Sequence, residues 1–430
     1  MPKLPWGLLR DASYRNLFSS FVSSAVGTQV VSLAMPLIAL QALAATEFEV
    51  GVVTAMSTGA FLLVGLPAGA LVDRMRLRWV MVTCDLVRAA LLLTLPIAWW
   101  LDRLTIWHLY VIVLLVGVCS VFFDTATQTS LPTLVARENL VEANSKIGGV
   151  QESSRLIGPA VGGQLIGWLT APVSVLITTV SLLGSAFFLR RLHSLDDRPR
   201  SDTDKPTTLR ADIMEGLRYV LRHKLLRAMV ASSAWSNMWT AAYTAMMLVY
   251  LDRDAALSAG GIGLFLSLSG VGGLLGAFLA RRCVDWIGSG PVLWVMRVIG
   301  APCYLLLPLF GEGWGVWIGA VGVALASGTL VVINVAQVSN RQLLTTDRLQ
   351  GRVAATTRFL NWGTLPLGSF IGGVLGGWIG TGATLLVTTI LIGLSFVPTV
   401  VSPLRSMRTM PAPEPDTPAE QADSGARSAG

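Results

Sequence analysis

The chain has 430 residues, 53% of them hydrophobic and only 13% charged, with a mean hydropathy of +0.63. A soluble domain carries roughly 25% charged residues, so this balance excludes an ordinary soluble globular protein and points to a polytopic membrane protein. The formal net charge of +7 is carried by loops, which makes it a topology signal and gives no reason to expect a nucleic-acid partner.

The first residues, MPKLPWGLLRDASYR, are short, basic and proline-punctuated, without a small-residue cleavage site, so the first span is expected to be retained. From Phe18 to Pro403, apolar runs recur that approach the roughly 20 residues needed to cross a bilayer. Twelve are counted, near 17–44, 49–72, 79–101, 105–131, 142–169, 171–190, 228–251, 259–280, 289–310, 314–340, 351–379 and 382–403. Open sheets cannot satisfy their backbones in lipid and barrel strands would be much shorter, so the runs predict helices. With an even number of spans and both termini cytoplasmic, 26 of the 32 Lys and Arg fall in cytoplasmic segments and only Arg103 and Arg253 outside. That is the distribution expected of short cytoplasmic loops.

The longest polar break, Arg190 to Arg227, holds ten basic residues. Its first part is too charged and proline-rich to pack. Its second part, LRADIMEGLRYVLRHKLL, places Ile213, Leu217, Val220 and Leu221 at helical spacing, predicting an amphipathic helix at the membrane surface. The predicted organisation is a cytoplasmic N-terminus (1–16), a six-helix half (17–190), the linker (191–227), a second six-helix half (228–403) and a disordered cytoplasmic tail (404–430).

The halves repeat. Gly65 and Gly69 fall on Gly272 and Gly276 at an offset of 207; Gly158, Gly162, Gly163 and Gly167 fall on Gly368, Gly372, Gly373 and Gly377 at 210. Asp124 falls on Asn334 at 210, and Arg88 on Arg297 at 209. Repeated six-helix halves in parallel are an architecture of secondary transporters, with the substrate site between them. The stretch RLIGPAVGGQLIGW (Arg155–Trp168) gathers small residues that let helix backbones approach in lipid, with Pro159 kinking the helix.

Gly149, followed after eight residues by Gly158-Pro159-Ala160-Val161-Gly162-Gly163, resembles the fifth-helix antiporter signature of major facilitator superfamily drug exporters. The resemblance implies a helix sealed or bent so that coupled exchange replaces leak. The same glycines also serve packing, and the two roles are compatible. Gly69, Asp73, Arg74 and Arg78 resemble the superfamily's loop between helices two and three, although Arg76 and Leu77 depart from its pattern. They imply a charged latch on the cytoplasmic side, against the plainer reading of positive-inside charge. The runs VFFDTATQTSLPTLVARENLVEANSKIGG and NVAQVSNRQLLTTDRLQGRVAATTRFLNWGTLPLGSFIGG are similar to the macrolide-efflux and enterobactin-exporter branch.

Seven ionisable residues stay inside the spans: Asp85, Arg88, Asp124, Glu152, Arg155, Arg297 and Arg358. Each costs roughly 2.5–3.5 kcal/mol on permissive insertion scales and is a functional candidate. Asp85/Arg88 and Glu152/Arg155 are spaced to pair along one helix face. Asp124 has no basic residue three or four positions away, and a carboxylate held from water can load and release a proton near neutral pH. Asp124, Glu152, Arg155 and Arg358 are the proton-coupling candidates; a permanent ion pair of Asp124 with Arg155 or Arg358 is the competing structural reading. In the resembled fold helices one, four, seven and ten line the cavity. The resemblance thereby nominates Gln29, Ser32, Asn237, Trp239, Tyr243, Asn334 and Gln337 as substrate contacts, with Asn361 and Trp362 nearby.

The four cysteines read as apolar packing residues. No His, Cys or Ser constellation suggests an enzyme, and no cofactor or metal is expected. No Walker-type loop supports a primary pump. The expectation is a monomeric exporter of a small amphipathic, drug-like compound in a bacterial inner membrane, driven by proton antiport, with lipid, substrate and protons as partners. A siderophore or other metabolite exporter, an importer, and a scaffold or sensor on the same fold are the alternatives.

Overall fold

The computed structural model describes residues 7–72, 75–136, 139–192, 209–311, 313–346 and 349–411. The described residues are helical, without strands. The helices are α1 (Ala12–Leu37), α2 (Glu47–Val72), α3 (Leu77–Trp100), α4 (Ile106–Leu134), α5 (Leu140–Leu169) and α6 (Ala171–Arg190). After them come α7 (Leu209–Arg222), α8 (Lys224–Val249), α9 (Ala259–Ile287), α10 (Val292–Cys303) and α11 (Leu306–Phe310). The chain closes with α12 (Gly315–Leu344), α13 (Gln350–Ile379), α14 (Thr381–Gly393) and α15 (Val397–Val401). Among the described residues, nine helical segments are long and apolar enough to cross a bilayer.

Local chemistry sets the boundaries. Asp11 caps α1 by accepting from the Ser13 and Tyr14 amides at 2.7 and 3.0 Å. Thr46 and Glu49 form a reciprocal capping box at the start of α2, the Glu49 carboxylate taking the Thr46 amide at 2.7 Å. Thr105 and Ser258 cap α4 and α9. Inside the helices, hydroxyls such as Thr127 and Thr388 bond back to the carbonyl four residues earlier, which satisfies them without a partner helix.

The repeat extends to the connections. α1 and α8 both end in a π-helical turn, Ile38–Ala42 and Tyr250–Asp254, and each is followed by an alanine at positive φ, Ala44 (48°) and Ala256 (49°). The α5–α6 and α13–α14 links each pass through one positive-φ residue, Thr170 (73°) and Gly380 (82°).

α1 to α6 pack chiefly on one another, as do α8 to α14; the two bundles meet along α5 on α9 and α2 on α13. Trp100, Trp107, Trp168, Trp314 and Trp378 stand exposed at helix ends on one side of the molecule. That position suits indole rings at a lipid–water interface.

Three expectations change in detail. The run near 289–310 is broken into α10 and α11 around Tyr304–Leu305, just after Pro302. The run near 382–403 is broken after Gly393 by a 3-10 turn, Leu394–Phe396, before α15. The proposed tail is ordered at its start: Leu404 is buried, and the Met407 and Arg408 carbonyls accept from the Gly290 and Ser289 amides at 2.9 and 3.0 Å. Residues 412–430 lie outside the described residues.

Candidate functional site

A cavity of about 1100 Å³ lies between the bundles, lined from α1, α2, α4, α8, α12 and α13. Drug-sized ligands occupy pockets of roughly 300–1000 Å³, so the space admits one. Its wall runs from Met35 and Val53 beneath one end of the molecule to Gly69, Gln128 and Arg341 near the other.

Of the residues nominated from sequence, Asp124, Arg358, Ser32, Asn237, Asn334, Gln337, Asn361 and Trp362 line this cavity, as does Gly69. Asp124 makes no hydrogen bond or ion pair with any described residue, and the positive charges that act on it are those of Arg88 and Arg358. The permanent pairing with Arg155 or Arg358 is therefore absent in this conformation. Arg358 is held instead by aromatic faces from both bundles: its guanidinium carbon lies 4.4 Å from the Trp362 ring and 5.4 Å from the Phe61 ring. Such contacts are worth about 0.5–2 kcal/mol. Gln337 Nε2, Asn361 Oδ1 and Thr357 Oγ1 are buried on the cavity wall with no hydrogen-bond partner among the described residues. Their hydrogen-bonding capacity is unspent in this conformation.

Behind Asp124, the pair Asp85–Arg88 is buried between α3 and its neighbours, with Asp85 fully enclosed. Arg88 Nη1 also reaches Ser120 Oγ at 3.2 Å, and Ser120 lines the cavity one turn from Asp124. The spacing-based pairing of Asp85 with Arg88 is thus observed. Glu152 and Arg155 are only loosely paired at 3.9 Å; both are largely exposed and lie outside the cavity wall.

Three nominated residues also lie elsewhere. The Gln29 side chain fills the notch at Gly158, where a Cβ would stand 2.5 Å from Gln29 Cγ. Trp239 packs on Trp235 at 5.8 Å between ring centroids. Tyr243 is buried, with its hydroxyl donating to the Tyr304 carbonyl at 3.0 Å. Phe61, Thr357 and Arg341 also line the cavity; the predicted span ends near residue 340, whereas α12 continues past Arg341 to Leu344.

The glycine signature is divided by geometry. Gly163 meets Gly263 of α9, Gly162 faces Val30 of α1, and Gly149 has nothing within 4 Å. Beside Pro159, the Ala160 amide donates to Ser267 Oγ across the bundles at 2.9 Å. In the loop motif, Arg78 bonds the Arg190 carbonyl at the end of α6 and stacks on Trp79 at 5.2 Å. Asp73 and Arg74 lie outside the described residues.

One end of the cavity is shut. Gly51 abuts Gly373, and Phe48 packs edge-on against Phe370 at 5.6 Å. Above them Arg253 Nη1 pairs with Glu47 at 2.7 Å, and Gln41 donates to Asp252 at 2.7 Å. These clamps were invisible in the sequence because their partners are more than 200 positions apart.

Two helical bundles that close at one end over a cavity of amides, aromatic rings and one unpaired carboxylate define a membrane transporter. The chain belongs to the Major Facilitator Superfamily, whose family model matches residues 17–363. It is 24% identical over 423 residues to the multidrug efflux pump Tap of Mycobacterium tuberculosis, covering 95% of this chain and 98% of Tap. It is 24% identical over 346 residues to the enterobactin exporter EntS of Escherichia coli, covering 79% of this chain and 80% of EntS. The expected likeness to the enterobactin-exporter branch is thereby found. The fold matches a crystal structure of a bacterial homologue of the iron transporter ferroportin in an inward-facing state. The TM-score is 0.72 at 17% identity, over 93% of this chain and 99% of that one.

Proposed function

We propose that this protein exports a small amphipathic compound across a bacterial inner membrane by proton antiport, working as a monomer. The observation that carries the reading is Asp124: a carboxylate facing a drug-sized cavity with no permanent partner. Such a group is free to exchange a proton for a cationic or polar cargo. Unpaired Gln337, Asn361 and Thr357 atoms would orient the cargo, and Trp362 and Phe61 would cover its apolar part.

The reading takes twelve spans in two six-helix halves with both termini cytoplasmic. α5, α8 and α13 count among the spans because each runs the depth of the bundles. On that topology the clamp at Glu47 and Arg253 is external, and the conformation is inward-open. Export would require the clamp to release and the opposite ends of the bundles to close, with Gly69, Asp73, Arg74 and Arg78 in the closing latch. The likeness to Tap supports a drug-like cargo. The likeness to EntS supports a second reading, a siderophore or related metabolite.

The test is efflux of a panel of macrolides, tetracyclines, lipophilic dyes and catecholate siderophores from pump-deficient cells, with and without a protonophore, beside Asp124→Asn. Protonophore-sensitive efflux that disappears in Asp124→Asn is the expected result. Efflux at full rate in Asp124→Asn would remove that carboxylate from the coupling mechanism.

A further inference from the structure

The two bundles treat one equivalent arginine differently. Arg88 of α3 and Arg297 of α10 correspond at an offset of 209 and are both about 5% exposed. In the first bundle Asp85 neutralises Arg88. The position equivalent to Asp85 is Trp294, whose indole donates to the Arg405 carbonyl at 3.4 Å.

Arg297 is left without an acid. Among the described residues no carboxylate lies within 4 Å of its guanidinium. Its Nη1 donates to the Leu293 carbonyl of its own helix at 2.5 Å, and its Nε is buried with no partner. A guanidinium withdrawn from water needs a counter-charge as well as acceptors.

The side chain borders a pocket of about 20 Å³ inside the second bundle, shared with Ser236 and Thr240 of α8 and Thr329 of α12. The hydroxyls of Ser236 and Thr240 make no hydrogen bond to another described residue. The pocket holds about one water-sized particle, the size of a monatomic ion. α8 separates it from the central cavity, presenting Ser233 and Asn237 to the cavity and Ser236 and Thr240 to the pocket.

We propose that Arg297, Ser236 and Thr240 bind a single halide-sized anion, chloride, which takes the place that Asp85 fills in the first bundle. The guanidinium supplies the charge and the two hydroxyls donate to the ion. The site is structural, distinct from the cargo cavity, and does not depend on what is transported.

The experiment is thermal unfolding of the full-length protein in detergent, titrated with sodium chloride or bromide against sodium gluconate at constant ionic strength. A saturable rise in Tm with halide is expected in the wild type, absent in Arg297→Gln and kept at altered affinity in Arg297→Lys. Crystals grown in bromide should show an anomalous peak within about 4 Å of the Arg297 guanidinium, an ion-pair distance. A wild-type Tm equal in halide and gluconate overturns the proposal, as does a halide shift unchanged in Arg297→Gln. If Arg297→Gln does not fold, the wild-type titration and the bromide peak decide alone: a peak at Arg297 sustains the site, and its absence overturns it.

Discussion

Gly163 and Gly263 meet backbone to backbone across the two bundles: a Cβ on Gly163 would stand 2.9 Å from the Gly263 Cα and 2.4 Å from the Ala259 carbonyl oxygen. The repeat produces a second such crossing, where a Cβ on Gly51 would stand 2.6 Å from the Gly373 Cα. In lipid no hydrophobic force holds helices together, so dispersion at close approach has to do it. Two glycine crossings therefore form the seam that shuts one end of the cavity.

Gly163→Ala should force α5 from α9, because both nearest atoms belong to backbone and cannot turn away. Overpacking of this kind costs about 1–3 kcal/mol. Gly149→Ala, in the same signature but with nothing within 4 Å, should be silent. Transport assays and labelling of a Ser32→Cys cavity probe by an external impermeant maleimide check this. Faster labelling in Gly163→Ala and no change in Gly149→Ala are expected.

The polar clamp beside that seam should contribute less. Arg253 and Glu47 are about one-third exposed, and exposed pairs are worth about 0.2–1 kcal/mol. Arg253 also donates to the Ala45 carbonyl at 2.5 Å, which places the loss in Arg253→Ala near the top of that range. About 1 kcal/mol is a roughly fivefold change in population. The same Ser32→Cys probe should label up to about fivefold faster in Arg253→Ala. Unchanged labelling would show that the glycine seam alone holds the end closed.

The two seams were half legible. Gly163 and Gly373 stood out as a repeat, but their partners Gly263 and Gly51 carried no signature, because which helix a small-residue stripe meets is not written in its own spacing. The cavity shows the same division. Asp124 and Arg358 were found because a charge in an apolar run is expensive and therefore conspicuous. Tyr243 and Trp239 were assigned to the cavity on their helix alone. α8 is apolar on several faces, so no hydrophobic stripe reveals how it is rotated, and Tyr243 turns into the bundle toward Tyr304.

Asp85 and Arg88 make a sharper test of the buried charges. Removing one partner from a buried pair costs about 3–5 kcal/mol, because the other charge is left unpaired, whereas removing both can be nearly neutral. Asp85→Leu and Arg88→Met should each lower the unfolding temperature in detergent by several degrees. The double variant should recover most of that loss. A double variant less stable than either single one would mean that Arg88 acts mainly through Ser120.

The linker helix α7 is seated on the second bundle by shape as much as by charge. A Cβ on Gly216 would stand 2.5 Å from Thr356 Oγ1 and 2.9 Å from the Arg352 carbonyl oxygen. Beside it Glu215 pairs with Arg352, and Tyr219 donates to the Leu344 carbonyl at 3.1 Å. Gly216→Val adds branched bulk against backbone that cannot yield, so it should lift α7 from α13 and break both polar contacts together. Glu215→Gln removes the charge from the partly exposed ion pair with Arg352 and should leave the helix docked. Hydrogen exchange over 209–222 distinguishes them: fast exchange in Gly216→Val and near wild-type protection in Glu215→Gln are expected. Equal loss of protection in both would mean that charge, and not the close approach at Gly216, holds the linker in place.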